Sequence, residues 1–239
     1  MKKLKIVQIE LTNRCNATCS YCPQPTMKRK KIDMTNEIFN RTLEILDRTD
    51  YWRNFDRDIV ELHHFGESLL LGDRLFYFLD RMVEENIPWS LSTNGMLLNN
   101  TEFNIKLLSY NGVLEISIEN INKKVTLEQK YDIVNNFLAL HKKLNSKLTI
   151  LLITFGNVDF SQITGCAGIS NYKIHSWGET GKDGVPYCKF LSDNYFSVHS
   201  DGTIVGCCFD AEYETNYGTV FEPTYEKNKI WRKCNTCIG

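Results

Sequence analysis

The stretch that decides how this chain folds is Ile6-Val7-Gln8-Ile9-Glu10-Leu11, followed closely by Cys15-Asn16-Ala17-Thr18-Cys19-Ser20-Tyr21-Cys22. The first part is a mostly apolar run of strand length. The second is a loop with cysteines at C-x3-C-x2-C spacing. Three thiolates this close can converge on one inorganic centre. A structural zinc site or an electron-transfer cluster takes four protein ligands, so three leave one metal position for something else. On the residues alone the loop also reads as half a zinc site, or as thiols with no ligand role.

Outward from this stretch, apolar β-rich runs at 5–11, 58–65, 89–93, 114–119 and 147–155 alternate with helical patterns near 36–48, 73–86, 101–110 and 125–143. Thr35 is placed to cap the first helix, with Glu37 in its first turn, where the helix dipole favours negative charge. Strand–helix alternation with nearly continuous apolar strands predicts an α/β fold, a parallel sheet with helices packed on it. Five such units are too few for a closed eight-stranded barrel, so a curved, open partial barrel is expected. Ligand sites in such folds collect at the carboxyl ends of the strands, and the cysteine loop follows strand one at that end.

From about residue 156 the pattern changes. Residues 172–177 read as one more strand, and Gly178, Gly181, Gly184 and Pro186 as a linker, which divides the chain into 1–177 and 178–239. The second unit is expected to be small: a hairpin of 195–199 and 203–205 turned by Ser200-Asp201-Gly202, then a short helix near 224–232 leading into Cys234-x2-Cys237.

Composition excludes some functions. Of 239 residues, 42% are hydrophobic and 24% charged, with net charge −1, which argues against a general nucleic-acid or anionic-membrane binder. Lys28-Arg29-Lys30-Lys31 is the one basic cluster and reads as a solvated turn. Glu10 and Arg14 interrupt before any secretory apolar core develops, and no run approaches the roughly 18 apolar residues of a membrane span. Nine cysteines then point to metal or redox chemistry in a reducing cytoplasm, not to a disulfide framework.

The cysteine loop resembles that of the radical S-adenosylmethionine (SAM) superfamily, C-x3-C-x-aromatic-C, with Tyr21 in the aromatic slot. The resemblance implies a partial barrel and a 4Fe–4S cluster on Cys15, Cys19 and Cys22, whose fourth iron binds SAM. Reductive cleavage of SAM then gives a 5′-deoxyadenosyl radical that abstracts hydrogen from a substrate. Phe65-Gly66-Glu67-Ser68 stands where the superfamily has Gly-Gly-Glu-Pro, so Gly66 and Glu67 are expected to hold the SAM amino group, with the backbone path altered by Phe65 and Ser68. By the same resemblance Ser92 and Asn94, at the end of the third strand, and Ser117 and Glu119, on the fourth, face the cofactor pocket. Asn94 in Asn94-Gly95 equally suits a plain turn. Of His63 and His64, at most one can look into the site, because adjacent residues on a strand face opposite ways.

Cys188, Gly202 and Cys207 have the C-x13-G-x4-C spacing that resembles the opening of SPASM and twitch modules. The hairpin would return Cys207 beside Cys188, and the later helix would deliver Cys234 and Cys237. The chain ends two residues after Cys237, which fits the shorter twitch type with one auxiliary 4Fe–4S cluster. Zinc is the alternative for a four-cysteine set, and Cys208 an alternative ligand to Cys207. Cys166 has no spacing partner.

The expected function is a radical SAM oxidoreductase with the auxiliary cluster as electron acceptor. Strand one begins at once, without the N-terminal recognition domain of many peptide-modifying members, which favours a small or carbohydrate-like substrate. Modification of a peptide or protein, and a non-catalytic metal-binding role, are the alternatives. An electron donor such as flavodoxin or ferredoxin is the expected partner.

Overall fold

A computed structural model of the chain describes residues 2–20, 22–49, 52–54, 57–118, 125–153, 160–164, 190 and 194–224. In chain order the elements are β1 (Lys5–Ile9), α1 (Asn36–Ile45), β2 (Trp52–Asn54), β3 (Arg57–Glu61), α2 (Arg74–Glu84), β4 (Trp89–Thr93), α3 (Thr101–Leu107), β5 (Val113–Ser117), α4 (Leu127–Lys143), β6 (Thr149–Ile153), β7 (Tyr195–Val198), β8 (Thr203–Val205) and β9 (Asn216–Thr219). The strands form one open sheet in the order β6-β5-β4-β3-β1-β7-β8-β9, with β2 antiparallel to β3. Neighbours from β6 through to β7 are parallel, and β8 and β9 add on antiparallel.

Local chemistry sets the helix limits. Thr35 Oγ1 accepts the Ile38 amide at the start of α1. Thr126 and Gln129 form a reciprocal capping box at α4, whose last turn carries His141, Lys142 and Lys143 against the negative end of its dipole. In α2, Leu75, Phe78, Leu79 and Met82 recur on one face and are buried.

That face packs on the sheet. Val60, Leu62, Leu91, Leu114, Ile116, Ile150 and Leu152 share one core with Phe39, Phe78, Val134 and Phe137. Burying each such side chain stabilises the fold by roughly 1.5–3 kcal/mol. Alternation then turns Glu61, Ser90, Ser92, Glu115 and Ser117 to the opposite, concave face. Parallel strands packed on both sides are normally apolar throughout. β3, β4 and β5 are instead polar on one side, the side that holds a ligand in an open barrel, while β6 presents Leu151 and Ile153 there.

Two features depart from expectation. β2 was not foreseen. The hairpin beginning at β7 is hydrogen-bonded into the main sheet, because β7 pairs in parallel with β1 from Lys5↔Tyr195 to Ile9↔Val198. The boundary expected at 177/178, the strand at 172–177 and the helix near 224–232 lie outside the described residues. No helix among the described residues is long and apolar enough to cross a membrane.

Candidate active site

The cysteine loop leaves β1 at the carboxyl end of the sheet and is closed at its neck. The Asn13 side chain accepts the Ile32 amide at 2.7 Å and donates to the Lys30 carbonyl at 2.9 Å. Arg14 forks onto Asp33 at 2.7 and 2.8 Å. Within the basic run, Arg29 is not solvated: it is buried and bidentate to the buried Glu10 at 2.8 and 2.9 Å. Burial alone would raise the Glu10 pKa, but the Arg29 hydrogen bonds, with His199 and His64 nearby, hold it at about 2. The charged residue that interrupts the first apolar run is thus a tie between β1 and the far side of the loop.

Cys15, Cys19 and Cys22 are half-buried free thiols. Cys15 Sγ accepts the Ala17 amide at 3.4 Å and Cys22 Sγ the Gln24 amide at 3.5 Å. Burial pushes the Cys15 thiol up to about 11, helped by Glu67, Cys19 and Cys22. Cys22 is raised by burial and by Cys19. Cys15 thus feels both other thiols and Cys22 feels Cys19, and a bound metal would reverse these shifts by taking the thiolates. Tyr21 lies outside the described residues.

Gly66 explains why this turn carries glycine. A Cβ there would sit 1.9 Å from the Thr12 carbonyl oxygen and 2.7 Å from its carbon. The next amide, of Glu67, donates to the Arg14 carbonyl at 2.8 Å, so the turn after β3 lies directly against the cysteine loop. The Glu67 carboxylate is buried and braced. Its Oε1 accepts from Leu69 N at 3.1 Å and Thr93 Oγ1 at 2.9 Å, and its Oε2 from Asn94 N at 2.8 Å. Oε2 has capacity for one more donor. Burial raises the Glu67 pKa against these hydrogen bonds and against the buried Lys130. Asn94 carries the link onward, its Nδ2 donating to Asn16 Oδ1 in the cysteine loop at 2.7 Å.

The departures at Phe65 and Ser68 have physical partners. Phe65 stacks on His64 with ring centroids 3.8 Å apart and packs with Met27 and Ala211, with Cys22 against the same cluster. The ring thus joins the turn to the C-terminal loop. Ser68 Oγ donates to the Leu62 carbonyl at 3.0 Å and fixes the turn. Gly66 to alanine is expected to cost about 3 kcal/mol, because its clash is with backbone and no rotamer relieves it. Thermal melting of the iron-loaded protein checks this, and an unchanged midpoint contradicts the contact.

Sequence reading thus names residues that the fold brings together. Gly66, Glu67 and Asn94 meet the cysteine loop, and Ser92 and Ser117 stand at the carboxyl ends of β4 and β5 on the concave face. Glu119 lies outside the described residues, as do Cys166, Cys188, Cys234 and Cys237.

The C-terminal loop after β8 is wound around Asp210. Its buried carboxylate accepts the amides of Glu212, Glu214 and Thr215 and the Thr215 hydroxyl. Cys207 Sγ accepts the amide two residues on, Phe209 N, at 3.4 Å, the arrangement seen at Cys15 and Cys22. Cys208 instead packs with Val7, Phe190 and Tyr195. Its carbonyl meets His64 Nε2 at 2.5 Å, so that nitrogen is the donor. Lys28 N donates to Glu212 Oε1 at 2.7 Å, and Ser200 Oγ to Glu10 at 2.6 Å. Both cysteine loops are therefore docked on one another. Glu10, Arg29 and Ser200 were missed as site builders, and the signal was a charge inside an apolar strand.

An open, mainly parallel sheet with a three-cysteine loop following β1 at its carboxyl end is the arrangement that the sequence resemblance implies. The model of the radical SAM superfamily matches residues 9–160, and the chain belongs to that superfamily. It is 30% identical over 116 residues to the S-adenosyl-L-methionine-dependent 2-deoxy-scyllo-inosamine dehydrogenase of Niallia circulans, covering 47% of this chain and 43% of that protein. It is 28% identical over 159 residues to a probable GTP 3′,8-cyclase of Methanocaldococcus jannaschii, covering 64% and 50%. The matches thus span half or less of these relatives. Among solved structures, BtrN in complex with AdoMet and 2-DOIA superposes with TM-score 0.57 at 19% identity, covering 94% of this chain and 81% of that one. Streptococcus suis SuiB bound to precursor peptide SuiA gives TM-score 0.61 at 13% identity, covering 94% and 64%. These two likenesses establish the fold.

The superfamily implies a 4Fe–4S cluster and SAM, and the residues present fit both. The thiols are free, amide donors already face two of the sulfurs, and a glycine keeps the neighbouring turn flat against the loop.

Proposed function

We propose that this chain oxidises a small, hydroxylated, carbohydrate-like molecule, consuming SAM as oxidant. The observation that carries the reading is the closure of the Cys15–Cys22 loop onto Gly66, Glu67 and Asn94, beside a concave face lined by Glu61, Ser92, Glu115 and Ser117. When bound, the cluster and SAM supply an electron and a carbon radical able to take hydrogen from an unactivated C–H bond.

The chain's own residues do the rest. Cys15, Cys19 and Cys22 would hold the cluster through three thiolates, leaving one metal position for SAM. Glu67, braced by Thr93 and Asn94, offers its remaining acceptor capacity on Oε2 to the SAM ammonium. Tyr21, Ser92, Asn94, Ser117 and Glu119 line the same cofactor pocket in this reading. Cys188, Cys207, Cys234 and Cys237 would hold an auxiliary 4Fe–4S cluster, which would supply an acceptor for the substrate electron left after hydrogen-atom and proton loss. A flavodoxin or ferredoxin of the cytoplasm would supply the separate electron needed to cleave SAM. The dehydrogenase relative supports a carbohydrate-like substrate. A peptide substrate is the second reading, supported by the SuiB likeness at the level of fold alone.

The test is anaerobic turnover of the reconstituted protein with SAM and reductant, following 5′-deoxyadenosine and any ketone from 2-deoxy-scyllo-inosamine, myo-inositol and glucosamine by mass spectrometry. SAM cleavage with no oxidised alcohol in the panel would sink the substrate reading. The choice between adjacent thiols is tested separately. Because Cys207 Sγ receives an amide donor and Cys208 sits in an apolar cluster, Cys208→Ser is expected to keep its full iron. Cys207→Ser is expected to lose the C-terminal half, and the reverse pattern in iron analysis would exchange the two roles.

A further inference from the structure

Glu61 and His63 stand on the concave face, because Val60 and Leu62 between and beside them belong to the helix-packed core. Their side chains keep 15% and 16% of their exposure, so a ligand can touch them. His63 Nδ1 accepts the Ser92 amide at 3.1 Å. That contact fixes the tautomer: the neutral ring carries its proton on Nε2. Burial, with His64 beside it, holds the His63 pKa at about 3, so the ring stays neutral.

Nε2 lies 3.8 Å from Glu61 Oε2, too far for a hydrogen bond. No side chain or carbonyl among the described residues accepts that proton. The carboxylate is meanwhile held from behind. Gln8 Nε2 donates to Glu61 Oε2 at 3.0 Å, and Ser197 Oγ donates to Gln8 Oε1 at 3.0 Å, a chain crossing β7, β1 and β3. A donor and an acceptor are thus set side by side, each fixed by its own partner and separated by a gap. The group that satisfies both is a hydroxyl, which accepts from Nε2–H and donates to Oε2. An ammonium cannot accept from His63, and a carboxylate would meet Glu61 as a like charge.

We propose that Glu61 and His63 bind the substrate hydroxyl at the carbon undergoing oxidation, and that Glu61 takes its proton. This rests on the reading of the chain as an alcohol-oxidising enzyme. In the step, the carbon loses a hydrogen atom to the SAM-derived deoxyadenosyl group. The O–H bond breaks and its proton passes to Glu61 Oε2. The one remaining electron leaves to an oxidised iron–sulfur cluster, and the C–O bond becomes a carbonyl.

The experiment uses the anaerobically reconstituted protein with SAM, and 2-deoxy-scyllo-inosamine, myo-inositol, glucosamine and a seryl peptide as probes, with cyclohexylamine as the hydroxyl-free control. Iron content and circular dichroism report that each variant is folded. Glu61→Gln keeps an acceptor but is a far weaker base, so kcat is expected to fall at least about 100-fold with little change in KM. His63→Phe removes the donor and is expected to raise KM about tenfold. His63→Gln, which can accept from Ser92 N and donate outward, is expected to recover much of that loss. Equal kcat in Glu61→Gln and wild type, or equal KM in the two His63 variants, overturns the proposal while leaving alcohol oxidation in place. Binding of a probe alcohol that depends on both residues, with no ketone formed, supports the hydroxyl site and removes the oxidation reading with its proton step. Binding of cyclohexylamine as tightly as the alcohols, or of no probe at all, overturns the site.

Discussion

A variant with Cys15, Cys19 and Cys22 all replaced by alanine is expected to lose reductive SAM cleavage entirely and to retain about four of about eight iron atoms per chain. The first expectation follows from ligand count: without thiolates no iron is held beside the SAM pocket, and nothing else in the loop is a soft donor. The second follows from the proposed C-terminal set, Cys188, Cys207, Cys234 and Cys237, which the change leaves untouched. Iron and zinc analysis of anaerobically purified protein makes the measurement, with bleaching of the visible thiolate-to-iron absorption by dithionite as the independent readout. Stoichiometric zinc in the remaining set would make the C-terminal module a zinc site. Full retention of iron in the variant would mean that the N-terminal loop never held a cluster. The loop itself is expected to keep its shape, since its neck is closed by Asn13, Arg14 with Asp33, and Arg29 with Glu10, none of which involves sulfur.

Much of this frame is legible in the residues, for identifiable reasons. β4 was placed at its observed limits, and the other barrel strands and helices fell within a few residues of theirs, because apolar periodicity and caps such as Thr35 are local signals. The pairing of β7 with β1 was not legible, because strand partners far apart in sequence leave no local trace. At the site, the residues show Gly66 and Glu67 following a strand, and the fold sets that turn against the cysteine loop, but the extent to which Glu67 is occupied by Leu69, Thr93 and Asn94 has no local trace in the sequence. Phe65 looked like a defect in a motif. Its ring is accounted for by contacts from a loop about 145 residues away, at Ala211. Arg29 misled in the other direction, since a run of four basic residues reads as solvent-exposed and only the fold supplies Glu10 as the buried partner. Glu61 drew no attention as a single acid in an apolar strand, and it gains meaning only beside His63 and Gln8.

Replacing Cys234 and Cys237 with alanine is expected to separate two halves of the reaction: the reduced protein still cleaves SAM, while oxidised product disappears. The argument is one of electron count. Removing a hydrogen atom from an alcohol carbon, and then the hydroxyl proton, leaves one electron that must go elsewhere before the carbonyl forms. A cluster held by four protein thiolates has no open iron for a reactant, which suits it to accept an electron and not to bind one. Its loop is well placed to take part, since Cys208 and Ala211 contact His64 and Phe65, the residues that lead into the Gly66–Glu67 turn. The measurement is the ratio of 5′-deoxyadenosine to ketone under single-turnover conditions, with iron content confirming that the N-terminal cluster remains. In wild type the ratio should approach one, and in the variant it should rise without limit as ketone vanishes. Deuterium from a labelled carbinol carbon should still appear in 5′-deoxyadenosine, because hydrogen abstraction precedes the lost step. A variant that turns over to ketone at the wild-type rate would leave the C-terminal cysteines a structural role only, and the electron would have to leave by another route.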